Sequence, residues 1–223
     1  MNIFALSRNP LYAAEQMIDK HIVKMPTETC QMLHTNILYM KFIDEHGVEP
    51  TLAELKLFHN SCFTGYKQAG PKLMKPAMLN HPSTIWARKS LRNFHWLFNH
   101  GDALCKEYTF RYGKEHGTEK RIVDCASYID IINNHDYPED KLTPVDIAMF
   151  DKYRIPNETG VHNWDYVIES YRHYYLEGKW RFAEWRKNRR PDWFPKNWYA
   201  IQFNKEVRSF NERNNGNLKL MEE

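Results

Sequence analysis

Apolar side chains recur at helical spacing from the start of this chain. Leu11, Ala14, Ile18, Ile22, Met25, Thr29, Met32 and Leu33 form one stripe with a period of about 3.6 residues. Ser7 or Asn9 is placed to cap this helix, with Pro10 at the favoured first position. Pro26 interrupts the stripe and is expected to kink it. Glycine points the same way: nine in 223 residues leaves few tight hairpins. Neither GxGxxG nor GxxxxGK[ST] occurs, so the usual dinucleotide and phosphate loops are absent.

The pattern continues as helices broken by loops. Thr51-Leu-Ala-Glu54 reads as a capping box opening a helix through about Phe63. Residues 65–76 read as a Lys-rich loop. After Asn80-His-Pro-Ser83, the residues Ile85, Leu91, Phe94, Leu97, Phe98, Leu104 and Tyr108 predict one long helix ending near Gly113, bent or split at Gly101. Thr118 opens another helix through Ile132, and Thr143-Pro144 a short one. A last long helix is expected over 163–187, broken by Arg189-Arg-Pro-Asp-Trp-Phe-Pro195. The fold class is all-α, with a short strand or extended arm over residues 2–6. Residues 1–210 are expected to form one domain with loop insertions near 44–80 and 113–160, and 211–223 a frayed polar tail.

Composition sets the function classes. No run approaches about 18 apolar residues, and the opening lacks a basic, apolar leader pattern, so neither a membrane span nor an export signal is expected. Lys+Arg 31 against Asp+Glu 28 gives net charge +3, too little for a general polyanion coat; any nucleic acid or nucleotide must meet a local patch. Cys30, Cys62, Cys105 and Cys125 contain no CxxC or CxxH pair, which argues against a zinc site and fits a reducing compartment. No metal or cofactor is called for. Trp180, Trp185, Trp193 and Trp198 read as packing.

Four constellations carry chemistry. His21, Lys24 and Glu28 stand at i, i+3 and i+7, on one helix face opposite the apolar stripe. An imidazole, an ammonium and a carboxylate this close can tune one another for acid–base work; a solvated face with a Lys–Glu pair has the same spacing. Arg88, Arg92, His95 and Asn99 form an acid-free stripe suited to phosphate, with His81 and Trp86 at the helix entry; salt bridges to distant acids are the other reading. Arg111 and Lys114 cluster near a helix C-terminus, where the dipole alone favours cations. Arg172, Tyr175, Lys179 and Phe182 interleave aromatic and basic groups on one face, as base stacking with phosphate contact requires; a half-buried aromatic face with snorkelling cations is equivalent.

Asp19-x-His21 followed by Glu28 resembles the phage-type pyrimidine-dimer DNA glycosylase/AP lyases, compact α-helical proteins with a catalytic Glu at that spacing. Arg190-Pro-Asp-Trp-Phe-Pro-Lys-Asn-Trp-Tyr-Ala200 looks like that family's C-terminal aromatic segment. The chain also resembles phage proteins of similar length that share the Asp-Lys-His-x-x-Lys-Met opening. The resemblance implies that Glu28 is the catalytic carboxylate, that His21 meets substrate near a phosphate, and that the protein is cytoplasmic, phage-encoded in a host cell. The family's nucleophile is an N-terminal α-amine beside a small residue, whereas residue 2 here is Asn. The Met1 amine, Lys24 and water stand as alternatives, and Lys24 stands in for the family's Arg, since Thr27 and Thr29 flank Glu28.

The expected activity is therefore metal-free and acts at the N-glycosidic bond or base of a nucleotide, most simply in DNA. Glu28, His21 and Lys24 do the chemistry, and His81, Trp86, Arg88, Arg92, His95, Arg111, Lys114, Arg172, Tyr175 and Lys179 hold phosphates or the base. Trp86 or Tyr175 is the candidate to stack on a flipped base. An enzyme on free or modified nucleotides, or a protein that only sequesters a nucleotide, uses the same stripe.

Overall fold

The computed structural model describes residues 2–63 and 70–222. Nine α-helices are described: α1 (Pro10–Glu15), α2 (Asp19–His46), α3 (Leu52–Phe63), α4 (Pro82–Lys89), α5 (Leu91–Tyr112), α6 (Glu119–Val123), α7 (Ile129–Asn134), α8 (Trp164–Tyr174) and α9 (Trp198–Asn214). The fold is all-α, and among the described residues the only bridge pairing is Ser90 with Glu139. Residues 2–6 take the extended-arm alternative rather than a strand, and Ile3, Phe4, Ala5 and Leu6 are buried in the core. Residues 65–69 of the expected Lys-rich loop lie outside the described residues, and no α-helix is described between Gly70 and Pro82.

Several elements follow their local chemistry. The Asn9 side chain accepts hydrogen bonds from the N–H groups of Leu11 and Tyr12 to start α1 at Pro10. Thr51 and Glu54 form the expected capping box, with Thr51 N–H donating to the Glu54 carboxylate at 2.8 Å. Gly47 and Gly113 end α2 and α5 at φ +70° and +69°, values open to Gly without a Cβ penalty.

The expected first helix is two helices. Its last carbonyls are taken from outside the helix: Arg111 donates to Glu15 O and Met17 O at 2.9 and 2.8 Å, and the Trp185 indole donates to Gln16 O at 2.9 Å. The chain turns there and restarts at Asp19. From Asp19 the second helix runs unbroken through Pro26 for 28 residues, so the proline does not interrupt it. The expected 85–112 helix breaks at Ser90, not at Gly101. Ser90 is extended (φ −149°, ψ 153°), its Oγ accepts from Asn93 N–H and donates to Lys141 O, and Glu139 N–H donates to Lys89 O.

Gly101 serves close approach instead. A Cβ there would fall 2.9 Å from Thr29 Cγ2 and 3.2 Å from Ile122 Cδ1, so α5 packs tightly on α2 and α6.

Residues 143–146 are not helical. Thr143 N–H donates to Asn93 Oδ1, its carbonyl accepts from the Trp86 indole, and Asp146 pairs with Lys89, so the segment is strapped across α4 and α5. The helix from Trp164 ends early, passing into a wide turn over Tyr175–Lys179 and a short 3₁₀ turn over Trp180–Phe182. Residues 211–214 complete α9. The chain then folds back, with Asn211 and Asn204 bonded to Leu218 and Met221.

At the junction of α1, α2 and α5 lies a buried ion network. Arg111, with no exposed side-chain surface, bonds Asp19 at 2.8 Å and Glu107 at 2.7 Å; Arg186 and Arg189 reach the same two carboxylates. Arg111 is therefore committed to the fold and is not a phosphate ligand. Replacing it with Met leaves two buried carboxylates short of their central cation, at a cost of about 3–5 kcal/mol. Arg111→Met is expected to lower Tm by roughly 6–20 °C in calorimetry; a shift under about 2 °C contradicts this role.

Three of the buried histidines, His21, His34 and His100, contribute to the acid response. His34 donates from Nε2 to Arg121 O and accepts Met74 N–H at Nδ1; His100 donates to Pro10 O. Burial pushes His34 and His100 down to about 4, and His21 down to about 3, from 6.5. The unfolded chain therefore binds more protons below pH 6.5, and stability present above that value drains as pH falls toward 4, at about 1 kcal/mol per histidine per pH unit. Tm is expected to fall between pH 7 and pH 5; an unchanged or higher Tm at pH 5 refutes this.

Candidate active site

Asp19 pins the first turn of α2. Its N–H donates to Glu184 O at 2.8 Å, and its carboxylate holds Arg111 and accepts the Arg186 N–H at 3.1 Å. The helix that follows is thereby fixed in rotation, and with it His21, Lys24 and Glu28. At about 100° per residue these three span an arc of about 60°. That arc lies at the margin between core and solvent, so the three differ in burial. Lys24 is 70% exposed, Glu28 is 15% exposed, and their charges meet at 2.8 Å. His21 is only 8% exposed. The expectation that all three stand opposite the apolar stripe is corrected for His21, which turns inward.

His21 stacks on Phe4, with ring centroids 4.0 Å apart, and its Nδ1 makes a 2.6 Å hydrogen bond with the Tyr175 hydroxyl. Burial pushes its pKa down to about 3, and the nearby charges of Lys179 and Lys24 push the same way. The imidazole is neutral across the physiological range. Asn2 holds the arm that carries Phe4: it donates to Ala148 O and accepts from Tyr171. The Met1 amine lies outside the described residues.

Two further cations share an aromatic ring close by in sequence to His21 and Tyr175. Lys179 lies over the rings of Tyr174 and Phe182, and Lys20 over Phe182 from the other helix. Gly178 makes the wide turn feasible, because a Cβ there would meet the Tyr174 ring at 2.6 Å. His81 caps α4, its Nδ1 accepting Ser83 N–H. Burial lowers its pKa while the charge of Glu28 raises it, so His81 lies within electrostatic reach of Glu28. His21 thus feels the charges of Lys24 and Lys179, Glu28 pairs with Lys24, and His81 feels the charge of Glu28.

The remaining sequence candidates go elsewhere. Trp86 is fully buried, its indole donating to Thr143 O, so it has no free face for a base. Tyr175 is also fully buried, beneath His21, and offers no stacking surface. The Ser90 break removes the proposed arginine stripe: Arg88 belongs to α4 and Arg92 and His95 to α5. Arg88 donates to Leu79 O at 2.8 Å and lies over Tyr39, in the wall of a cavity of about 960 Å³ with His135. Arg92, His95 and Asn99 are exposed on α5, and Lys114 is exposed just beyond Gly113. Arg172 pairs with Glu169 at 2.8 Å and lies over Trp193. A second cavity, of about 700 Å³, borders α9. Neither cavity is lined by His21, Lys24, Glu28 or Arg92.

Sequence reasoning missed Phe4, Asn2, Lys20 and Tyr174, whose roles depend on the arm and the wide turn. Lys20 alone had a local signal, lying one residue before His21. The described residues bring no group of three His, Cys, Asp or Glu together in a metal-binding arrangement. No helix is long and apolar enough to cross a membrane.

No curated protein and no solved structure matches the chain. Residues 1–120 match the family model described as pyrimidine dimer DNA glycosylase. That segment covers more than half of the 223 residues and contains Asp19, His21, Lys24, Glu28 and His81, so the chain belongs to the pyrimidine dimer DNA glycosylase family.

Proposed function

We propose that this protein releases a damaged base from DNA at the outer face of α2, with Glu28 as the carboxylate that acts on the sugar. The observation that carries the reading is the half-buried Glu28, held at 2.8 Å by Lys24 one turn before it and two turns from His21, within the family-matched segment. Cleavage of the N-glycosidic bond sends its electron pair to the departing base and leaves positive charge on the sugar. A carboxylate with little solvent around it stabilises that charge more strongly than one in bulk water.

A nucleophile then adds to the sugar carbon. Water gives simple base release. An amine gives an imine that opens the sugar and permits strand cleavage, with Glu28 taking up the amine proton. Lys24 supplies an ammonium in contact with Glu28. Lys179 and His81 fit phosphate contact, and duplex DNA is the partner. A substrate base inside the helix must be flipped out first, which costs least at a lesion. The nucleotide-sequestering alternative leaned on the Arg88–Arg92–His95 stripe, and the Ser90 break removes that support.

The test is base release from ultraviolet-irradiated duplex DNA under single-turnover conditions. Glu28→Gln is expected to lower the rate by at least about 100-fold with the helical circular dichroism retained. A rate within about 3-fold of wild type removes the reading. Borohydride trapping assigns the nucleophile: an adduct lost in Lys24→Ala identifies Lys24, an adduct retained identifies another amine, and no adduct identifies water.

A further inference from the structure

We infer that Tyr175 is a positioning residue that fixes His21 in a single neutral tautomer, with the proton on Nε2 and that N–H turned toward the substrate face. The inference rests on the proposed site, and it deepens it with a residue outside the family-matched segment, which ends at residue 120.

The Tyr175 hydroxyl has one proton to donate and is fully buried, and leaving a buried hydroxyl undonated costs several kcal/mol. Its hydrogen-bond partner in the structure is His21 Nδ1, at 2.6 Å. The hydroxyl proton therefore goes to Nδ1. A nitrogen that accepts cannot carry a proton in the neutral ring, so the ring proton sits on Nε2. Nε2 makes no hydrogen bond within the described residues and is not sealed from solvent. It is a donor without a partner, at the edge of the face that carries Lys24 and Glu28.

The surroundings keep the ring in this state. Phe4 covers one face at 4.0 Å and the Tyr175 ring stands edge-on at 5.3 Å, so rotation is blocked. The charged groups felt by the imidazole are Lys24 on α2 and Lys179 on the wide turn, and both oppose a second proton. A neutral donor in this setting can bond a sugar or phosphate oxygen without trapping the substrate through a net charge. It also keeps the same form from mildly acid to alkaline pH.

The experiment pairs a spectroscopic readout with a substitution series on the full chain. Long-range ¹⁵N–¹H NMR of the imidazoles is expected to show His21 as the Nε2–H tautomer at pH 7, without protonation down to pH 5. In Tyr175→Phe the Nδ1 signal is expected to lose its single-tautomer position. In single-turnover base release, His21→Asn, whose N–H takes the place of Nδ1, is expected to be at least about 10-fold slower than His21→Gln, whose amide N–H takes the place of Nε2–H.

Tyr175→Phe should cost about 10-fold in the wild-type background and under about 2-fold in the His21→Gln background, because its effect runs through the ring. An Nδ1–H tautomer, a His21 titration near 6.5, or equal rates for the Gln and Asn variants would overturn the inference. If the wild-type chain releases no base at all, the glycosylase reading fails, and the NMR result still decides the tautomer.

Discussion

The structure turns on the Arg111 guanidinium. It gathers the carbonyls of Glu15 and Met17, the Asp19 carboxylate and the Glu107 carboxylate around one buried group. A buried ion pair of this kind gives little net stability compared with an apolar substitute, but breaking it is costly. Its value here is geometric. It ends α1, turns the chain, and starts α2 at a fixed rotation, so the side chains two, five and nine residues after Asp19 are aimed before any substrate arrives. Arg186 and Arg189 bind the same carboxylates, each with its guanidinium over an aromatic ring of α5, Tyr112 and Phe110 respectively. The C-terminal third is thus stapled to the family-matched half.

That staple explains how residues far apart in sequence share one site. Trp185 and Trp193 both donate to Gln16, bringing the segment after α8 against the start of α2. The wide turn at Tyr175–Lys179 then places Tyr175 under His21 and leaves Lys179 at its edge. The N-terminal arm closes the third side through Phe4. The imidazole sits among three separate pieces of chain, and its neutral state follows from that burial.

Local signals in the sequence were legible where the chemistry is local. The Asn9 cap, the Thr51/Glu54 capping box and the glycine stop at Gly113 all stand where their residues predict. The helix break at residues 16–18 was not legible, because the groups that take those carbonyls lie about 95 and 170 residues away. The Ser90 break had a signal, a serine at a cap position, but the apolar period ran across it. In the site, spacing placed His21, Lys24 and Glu28 together, yet an arc at the core margin has no side marked in or out until the arm is in place. Arg111, Trp86 and Tyr175 were residues of the right chemical type that the fold uses for its own packing and hydrogen bonds, which periodicity alone does not distinguish from a binding face.

The proposed place of DNA chemistry is the outer face of α2 rather than the larger cavity beside Arg88 and His135. A crystal structure of the Glu28→Gln protein bound to a duplex carrying one pyrimidine dimer tests it directly. The account predicts the sugar of the lesion within about 3–3.5 Å of the residue-28 side chain, with His21 Nε2 bonded to a neighbouring oxygen. A lesion seated in the Arg88 cavity, or against the exposed face of α5, would contradict it.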